Sequence, residues 1–172
     1  DHLYSRMVLL QAIKEMGFNH KKSVVLAPDV GSAAISQAYA KRLEMHFALI
    51  DKRRYAPNKA KVSHLIGELD NMDVLIIDDM IDTAGTTVSA AEAAFNKGAK
   101  SVTAIATHGV LSGPAINRLK NASIKNIVVT DTILIPEEKK LENMKIVTVA
   151  DVFGAAINRI YNGESVSSLF EF

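Results

Sequence analysis

Short apolar runs alternate with longer segments that carry apolar residues at helical spacing along the whole chain. The apolar runs are rich in β-branched residues and lack alternation with polar positions, which is typical of strands buried on both faces. We predict such strands at residues 23–27, 46–51, 73–78, 101–107, 126–130 and 145–149, with a short edge strand at 62–66. We predict helices at residues 3–16, 32–43, 86–97 and 150–161, and a shorter helix that ends near residue 120.

The alternation of strands and helices predicts an α/β fold, with a mostly parallel sheet and helices on both faces. Ligands of open sheets of this class bind beyond the carboxyl ends of the strands. The segments that follow the strands at 23–27, 46–51 and 73–78 are therefore the places to search for a site. Residues 52–61, which are polar, basic and interrupted by Pro57, are predicted to form a loop.

The composition narrows the class of protein. With 172 residues, of which 48% are hydrophobic and 23% charged, the chain is expected to fold as one domain. The absence of Cys excludes disulfides, thiolate catalysis and Cys-ligated zinc, and agrees with a cytoplasmic location. A net charge of +1 gives no general attraction to nucleic acid or to a membrane surface. We therefore expect neither a nucleic-acid partner nor a membrane partner.

The strongest candidate site is the segment VLIIDDMIDTAGTT, at residues 74–87. Two acids, Asp78 and Asp79, follow four apolar residues, and Asp82 precedes a Thr- and Gly-rich turn that opens a helix. Backbone N–H groups at the start of a helix attract anions, whereas carboxylates suit sugar hydroxyls or Mg²⁺. A phosphorylated sugar would satisfy both halves of the segment. The alternative is a structural strand–helix junction in which an Asp caps the helix.

The stretch IIDDMIDTAGTT resembles the phosphoribosyl-diphosphate-binding signature of the type I phosphoribosyltransferases and of the ribose-phosphate diphosphokinases. The resemblance implies the type I phosphoribosyltransferase fold. It also implies that ribose 5-phosphate is bound by Asp78, Asp79, Asp82, Thr83, Ala84, Gly85 and Thr86.

Two further loops resemble the ribose-phosphate diphosphokinases. The stretch APDVGS is similar to their PDxGG loop, with Ser32 in place of the second Gly. This implies a diphosphate-facing loop that consists of Asp29, Val30, Gly31 and Ser32, with Asp29 as a ligand of Mg²⁺. The stretch IDKRR resembles their catalytic loop, which implies that Lys52 and Arg54 are catalytic and that Arg54 also contacts the sugar phosphate. Positioned cations stabilise the negative charge that develops during phosphoryl transfer, although a solvated basic loop would have the same composition.

Two other stretches share the resemblance. THGVLSGPAI matches the same family and is interpreted as structural, with His108 as an oriented hydrogen-bonding residue. The tail SVSSLF resembles the family's C-terminus, where two serines and a Phe contribute to an inter-subunit regulatory site. By that resemblance the regulatory residues are Ser165, Ser167 and Phe170.

The resemblance implies an enzyme that transfers the diphosphoryl group of MgATP to ribose 5-phosphate. It implies ATP and ribose 5-phosphate as partners, Mg²⁺ as cofactor, and a homo-oligomer, which is a hexamer of dimers in the family. Residues 1–172 would be one domain, the C-terminal half of a two-domain enzyme. Two alternatives stay open: a phosphoribosyltransferase that acts on a nucleobase, and a non-catalytic, synthetase-like regulatory subunit.

Overall fold

A computed structural model describes residues 3–53 and 62–170 of the chain. Within these ranges the strands are β1 Ser23–Ala27, β2 His46–Arg53, β3 Val62–Ile66, β4 Asp73–Ile81, β5 Ser101–Gly109, β6 Asn126–Thr130 and β7 Met144–Val147. The α-helices are α1 Arg6–Glu15, α2 Ala33–Leu43, α3 Gly85–Asn96, α4 Ala115–Asn121 and α5 Ala150–Tyr161.

The strands form one sheet in the order β3-β2-β1-β4-β5-β6-β7. Neighbouring strands are parallel except at the edge, where β3 runs antiparallel to β2. The predicted α/β fold class and the predicted edge strand at 62–66 are therefore confirmed.

Helices cover both faces of the sheet. The sequences of the central strands are therefore unbroken apolar runs. In β4, Val74 and Ile76 pack into the layer that contains α3 and α4. The intervening residues, Leu75 and Ile77, pack into the layer that contains α1 and α2. Because successive side chains of a strand point to opposite faces, neither face of the run 74–77 is left for polar residues.

The order of the strands reverses its direction between β1 and β4. From β1 the chain crosses through α2 to β2 on one side, and from β4 it crosses through α3 to β5 on the other. The two helices also lie on opposite faces of the sheet. The loops that leave β1 and β4 consequently separate and open a crevice, the position at which open α/β sheets bind ligands.

Strands β2, β4 and β5 are longer than the sequence pattern predicts, and β5 ends at Gly109 because its last residues pair with β4. Lys52 and Arg53 belong to β2 rather than to a loop, because their backbones pair with Ser63 and Val62 of β3. Strand β4 continues past Asp78 to Ile81, because β5 pairs with it along that whole length. Backbone pairing with a neighbouring strand causes these extensions. Such pairing cannot be detected from the hydrophobic periodicity of the sequence.

Along residues 3–53 and 62–170, the helices are all too short or too polar to cross a lipid bilayer.

Replacement of Ile76 by Ala is expected to lower the free energy of unfolding by about 2–5 kcal/mol, because it opens a cavity between β4 and the α3–α4 layer. Ile76 is 1% exposed, whereas Ile66, on edge strand β3, is 59% exposed. The matched variant Ile66→Ala should therefore change that free energy by less than about 1 kcal/mol. Denaturant unfolding of both variants measures the difference, and equal losses would contradict this packing.

Candidate active site

A cavity of about 520 Å³ occupies the crevice between the loops that follow β1 and β4. Its wall is made by the β1–α2 loop, the end of β4 and the first turn of α3. The lining residues are Asp29, Gly31, Ser32, Ile35, Asp78, Asp79, Met80, Asp82, Thr83, Ala84, Gly85, Thr86 and Thr87. Carboxylates and hydroxyl groups thus face one crevice, which a mostly apolar cavity of about 420 Å³ adjoins through Ile35 and Asp79.

Asp78 and Asp79 lie on the part of β4 that extends beyond its pairing with β1. Pairing between β1 and β4 extends to Ile76, whereas pairing between β4 and β5 continues through Asp78, opposite Ala106. Burial, together with the negative charges of Asp79 and Asp29, raises the pKa of Asp78 to about 6. The Asp79 N–H donates to Asp78 Oδ1 at 3.0 Å and offsets part of this increase. Negative charge is therefore crowded on this side of the cavity.

The loop after β1 is held by hydrogen bonds between its own residues. Asp29 Oδ1 accepts from the Ser32 N–H at 3.0 Å, and the Ser32 hydroxyl donates to the Asp29 carbonyl at 3.0 Å. A Cβ added at Gly31 would lie 3.2 Å from Asp29 Oδ1, so the Asp29 carboxylate leaves little room for a larger residue there. Ser32 has φ −87° and therefore needs no glycine. Its hydroxyl locks the orientation of Asp29.

A second part of the cavity wall is the turn from β4 into α3. Its left-handed residue is Ala84, with φ +59°, and α3 has no side-chain hydrogen bond at its N-cap. The carboxylate of Asp82 instead accepts from the Ser112 hydroxyl. The alternative of an Asp that caps α3 is thus wrong. The first N–H groups of a helix have no partner within it, so the start of α3 offers free donors to an anion in the cavity.

Most of the predicted phosphosugar and diphosphate-loop residues come together at this cavity. Val30 does not, because its side chain is 59% exposed and lies outside the lining. The side chain of Lys52 and all of Arg54 lie outside the described residues. Ile35 and Met80 also line the cavity, although no sequence pattern singles them out. The position of Met80 follows from the unexpected length of β4.

The remaining candidates lie away from this cavity. His108 Nδ1 is 2.8 Å from Thr132 Oγ1, which confirms its interpretation as an oriented hydrogen-bonding residue. In the tail, the Ser165 hydroxyl donates to the Ser167 hydroxyl at 2.9 Å. The ring of Phe170 packs edge-on against Tyr4, with 6.3 Å between ring centroids. The regulatory role of these tail residues stays a prediction.

No three His, Asp or Glu side chains in the described ranges are arranged so that they could hold a metal ion on their own. The acids of the cavity come from the β1–α2 loop and from the end of β4 with the turn that follows it, and Asp29 already uses one carboxylate oxygen within its own loop. A divalent cation in this cavity would thus need oxygen ligands from a bound molecule or from water.

Comparison with known proteins assigns the chain to a family. The model of the phosphoribosyl synthetase-associated domain matches residues 53–171. A ribose-phosphate pyrophosphokinase from Caldanaerobacter subterraneus subsp. tengcongensis is 48% identical over 172 residues, which cover 99% of this chain and 54% of that protein. The chain thus spans about half the length of the curated relatives that it matches.

Solved structures agree with this assignment. Phosphoribosylpyrophosphate synthetase from Mycobacterium smegmatis superimposes with a TM-score of 0.87 at 30% identity, over 95% of this chain and 52% of that one. An APRTase from Giardia lamblia gives a TM-score of 0.56 at 15% identity, over 72% of this chain and 75% of that one, and shares the fold alone.

The fold is that of the type I phosphoribosyltransferase class. Within that class, the chain belongs to the phosphoribosyl synthetase-associated domain family.

Replacement of Asp78 by Asn should stabilise the protein above pH 6 and have little effect near pH 4. The folded state binds the Asp78 proton more tightly than the unfolded state, since its pKa is raised from 3.8 to about 6. Stability is therefore lost as the pH rises from about 4 to about 6, and stays lower above that range. Because the carboxyl is partly solvated, we expect a gain of roughly 1–2 kcal/mol at pH 8.

Denaturant unfolding of Asp78→Asn at several pH values measures this gain. The exposed acid Glu142 provides a control, because Glu142→Gln removes one negative charge away from the cavity. A gain that is the same at pH 4 and pH 8, or that Glu142→Gln reproduces, would contradict the crowding of charge around Asp78.

Proposed function

We propose that this chain is the ribose 5-phosphate-binding part of a ribose-phosphate diphosphokinase. The reaction transfers the β,γ-diphosphoryl group of ATP to O1 of ribose 5-phosphate and yields AMP and phosphoribosyl diphosphate. Family membership supports the proposal. So does a single structural observation, the convergence of acids from β1 and β4 with the first turn of α3 around one cavity.

The two sides of the cavity suit the two ends of ribose 5-phosphate. Residues 83–86 offer backbone N–H groups and two hydroxyl groups, which can satisfy the oxygens of the 5-phosphate. Asp78 and Asp79 would repel a phosphate but accept hydrogen bonds from the ribose hydroxyls. The ligand is therefore oriented with its phosphate towards α3 and its ring towards the end of β4.

The donor set also fits Mg²⁺ in part. Asp29 and Asp78 crowd negative charge in one part of the cavity, and the charges of Asp79 and Asp29 add to the effect of burial in raising the pKa of Asp78. Mg²⁺ usually takes one or two carboxylates and completes its shell with phosphate oxygens and water. Asp29 is the proposed ligand. When bound, the ion would neutralise charge on the diphosphate, while the β1–α2 loop holds the Asp29 carboxylate in place.

Diphosphoryl transfer further requires positive charge over the group that moves, because negative charge develops on its oxygens. By resemblance, Lys52 and Arg54 supply that charge. Lys52 lies at the carboxyl end of β2, next to β1 in the sheet, so its strand ends beside the loop that carries Asp29. We propose that both cations act by position and charge, without covalent modification.

The alternatives are less well supported. Similarity to the APRTase concerns the fold alone, so it does not favour a base-joining transferase. The acids and the turn at residues 83–86 line one cavity. A subunit that only regulates would not need this arrangement. Formation of AMP from ATP and ribose 5-phosphate by the full-length protein would decide against both alternatives.

Calorimetry at pH 8 with the chain tests the two-sided site. Ribose 5-phosphate is expected to bind, and Asp78→Asn should weaken that binding about tenfold, because ribose loses a charged acceptor. The same variant should bind inorganic phosphate as well as, or more tightly than, the unmodified chain, because a like charge has been removed. Thr86→Val, which removes a hydroxyl beside the phosphate, should weaken the binding of both ligands.

The control for this experiment is again Glu142→Gln, which should leave both affinities unchanged. If the unmodified chain binds no ribose 5-phosphate, or if Asp78→Asn weakens the binding of both ligands equally, the proposed division of the cavity is wrong.

Lys52→Ala in the full-length protein should lower kcat by a factor of at least about 100 and change the affinity for ribose 5-phosphate by less than about threefold. The reason is that Lys52 is proposed to stabilise charge that develops only in the transition state. Steady-state kinetics and ligand titration measure the two quantities, and losses of equal size would contradict this role.

A further inference from the structure

The turn that forms the phosphate side of the cavity is held from behind by the segment 111–118. The Leu111 N–H donates to the Ile81 carbonyl at 3.0 Å, and the Ser112 N–H donates to the Asp82 carbonyl at 3.1 Å. Arg118 of α4 donates from Nη1 to the Thr83 carbonyl at 2.9 Å. Three consecutive carbonyl groups are therefore anchored by residues that lie outside the cavity lining.

We propose that Arg118 is a positioning residue: it orients the backbone amides of the turn at residues 83–86 without touching the ligand. A trans peptide unit carries its carbonyl and its N–H on opposite sides. Anchoring of the Thr83 carbonyl by Arg118 therefore turns the Ala84 N–H away from α4, to the side on which Thr83 and Ala84 line the cavity. The ligand side of this inference rests on the proposed function.

The backbone at this turn needs such support. Ala84 is 3% exposed and has φ +59°, a left-handed conformation that is unfavourable for a residue with a Cβ. Conformations of this kind persist where the surrounding structure enforces them. Leu111, which is 1% exposed and has φ +51°, faces the same turn, and its carbonyl accepts from Lys139 Nζ at 3.0 Å. Two left-handed residues thus lie in the segments 81–84 and 111–118, which the hydrogen bond from Leu111 to Ile81 joins.

Arg118 also fits closely against the start of α3. A Cβ added at Gly85 would lie 3.4 Å from Arg118 Nη1, which is close van der Waals contact. The Arg118 side chain therefore leaves little space beside Gly85. Among the described residues, the ion pairs of the chain lie elsewhere and none involves Arg118. The polar contact that Arg118 makes is accordingly the hydrogen bond to the Thr83 carbonyl, and not an ion pair with a carboxylate.

The test compares Arg118→Met, which removes the donor, with Arg118→Lys, which restores a donor of similar reach. Lys120→Met is the matched control, because it removes one positive charge from the same helix at an exposed position. Two quantities are measured for each variant: amide hydrogen exchange of the ligand-free chain, and the calorimetric affinity for ribose 5-phosphate.

The reporter amide is that of Val88, whose N–H donates to the Ala84 carbonyl at 3.0 Å. We expect Arg118→Met to exchange this amide about tenfold faster, and to weaken ribose 5-phosphate binding about tenfold, while the amides of β1 stay unchanged. Arg118→Lys should restore both quantities to within about threefold, and Lys120→Met should change neither.

Unchanged Val88 exchange in Arg118→Met would overturn the proposal. So would an equal loss of affinity in Lys120→Met, since the effect would then be general electrostatics. Faster Val88 exchange in a chain that binds no ribose 5-phosphate, even unmodified, would support the orienting role and refute the proposed function. If Arg118→Met fails to fold, Arg118→Leu, which also lacks a donor, replaces it, and equal behaviour of the Leu and Lys variants would overturn the proposal.

Discussion

The crowding of negative charge where β4 extends past the end of β1 is the constraint on which the site depends. Asp78 has a sheet neighbour on the β5 side only, and burial, together with the negative charges of Asp79 and Asp29, raises its pKa to about 6. An arrangement of this kind opposes folding, because like charges are held together while they are partly buried. Such a cost is typical of binding sites, where a ligand or cation supplies the charge and hydrogen bonds that the chain lacks.

The opposite wall of the cavity has the reverse electrostatic character. Free N–H groups at the start of α3 and the hydroxyl groups of Thr83 and Thr86 favour an anion. The β1–α2 loop, which carries Asp29, and the β4–α3 segment, which carries Asp78 and the turn, meet at the reversal of the strand order, so the sheet fixes their relative positions. A sugar phosphate matches this polarity, whereas free phosphate or an uncharged sugar would use one wall only. In its proposed positioning role, Arg118 fixes the orientation of the backbone amides that would bind the anion.

The sequence predicted the buried strands well, because a strand covered on both faces leaves a continuous apolar run such as residues 74–77. It also predicted the loops at the cavity, through the Gly, Thr and Asp residues that follow those runs. It did not predict the continuation of β4 to Ile81, which depends on pairing with β5. Nor did it predict that Ala84, rather than its glycine neighbour, adopts the left-handed conformation. The contact of Arg118 with Thr83 joins residues that are 35 positions apart, and no local spacing indicates it.

The central claim is that one cavity binds the two ends of ribose 5-phosphate on opposite walls. A crystal structure of the chain with this ligand tests the claim most directly. The account predicts the phosphate at the amides of residues 83–86, with the ribose hydroxyls on Asp78 and Asp79. A ligand in the reverse orientation, or one bound in the adjoining apolar cavity beside Phe153, would contradict it.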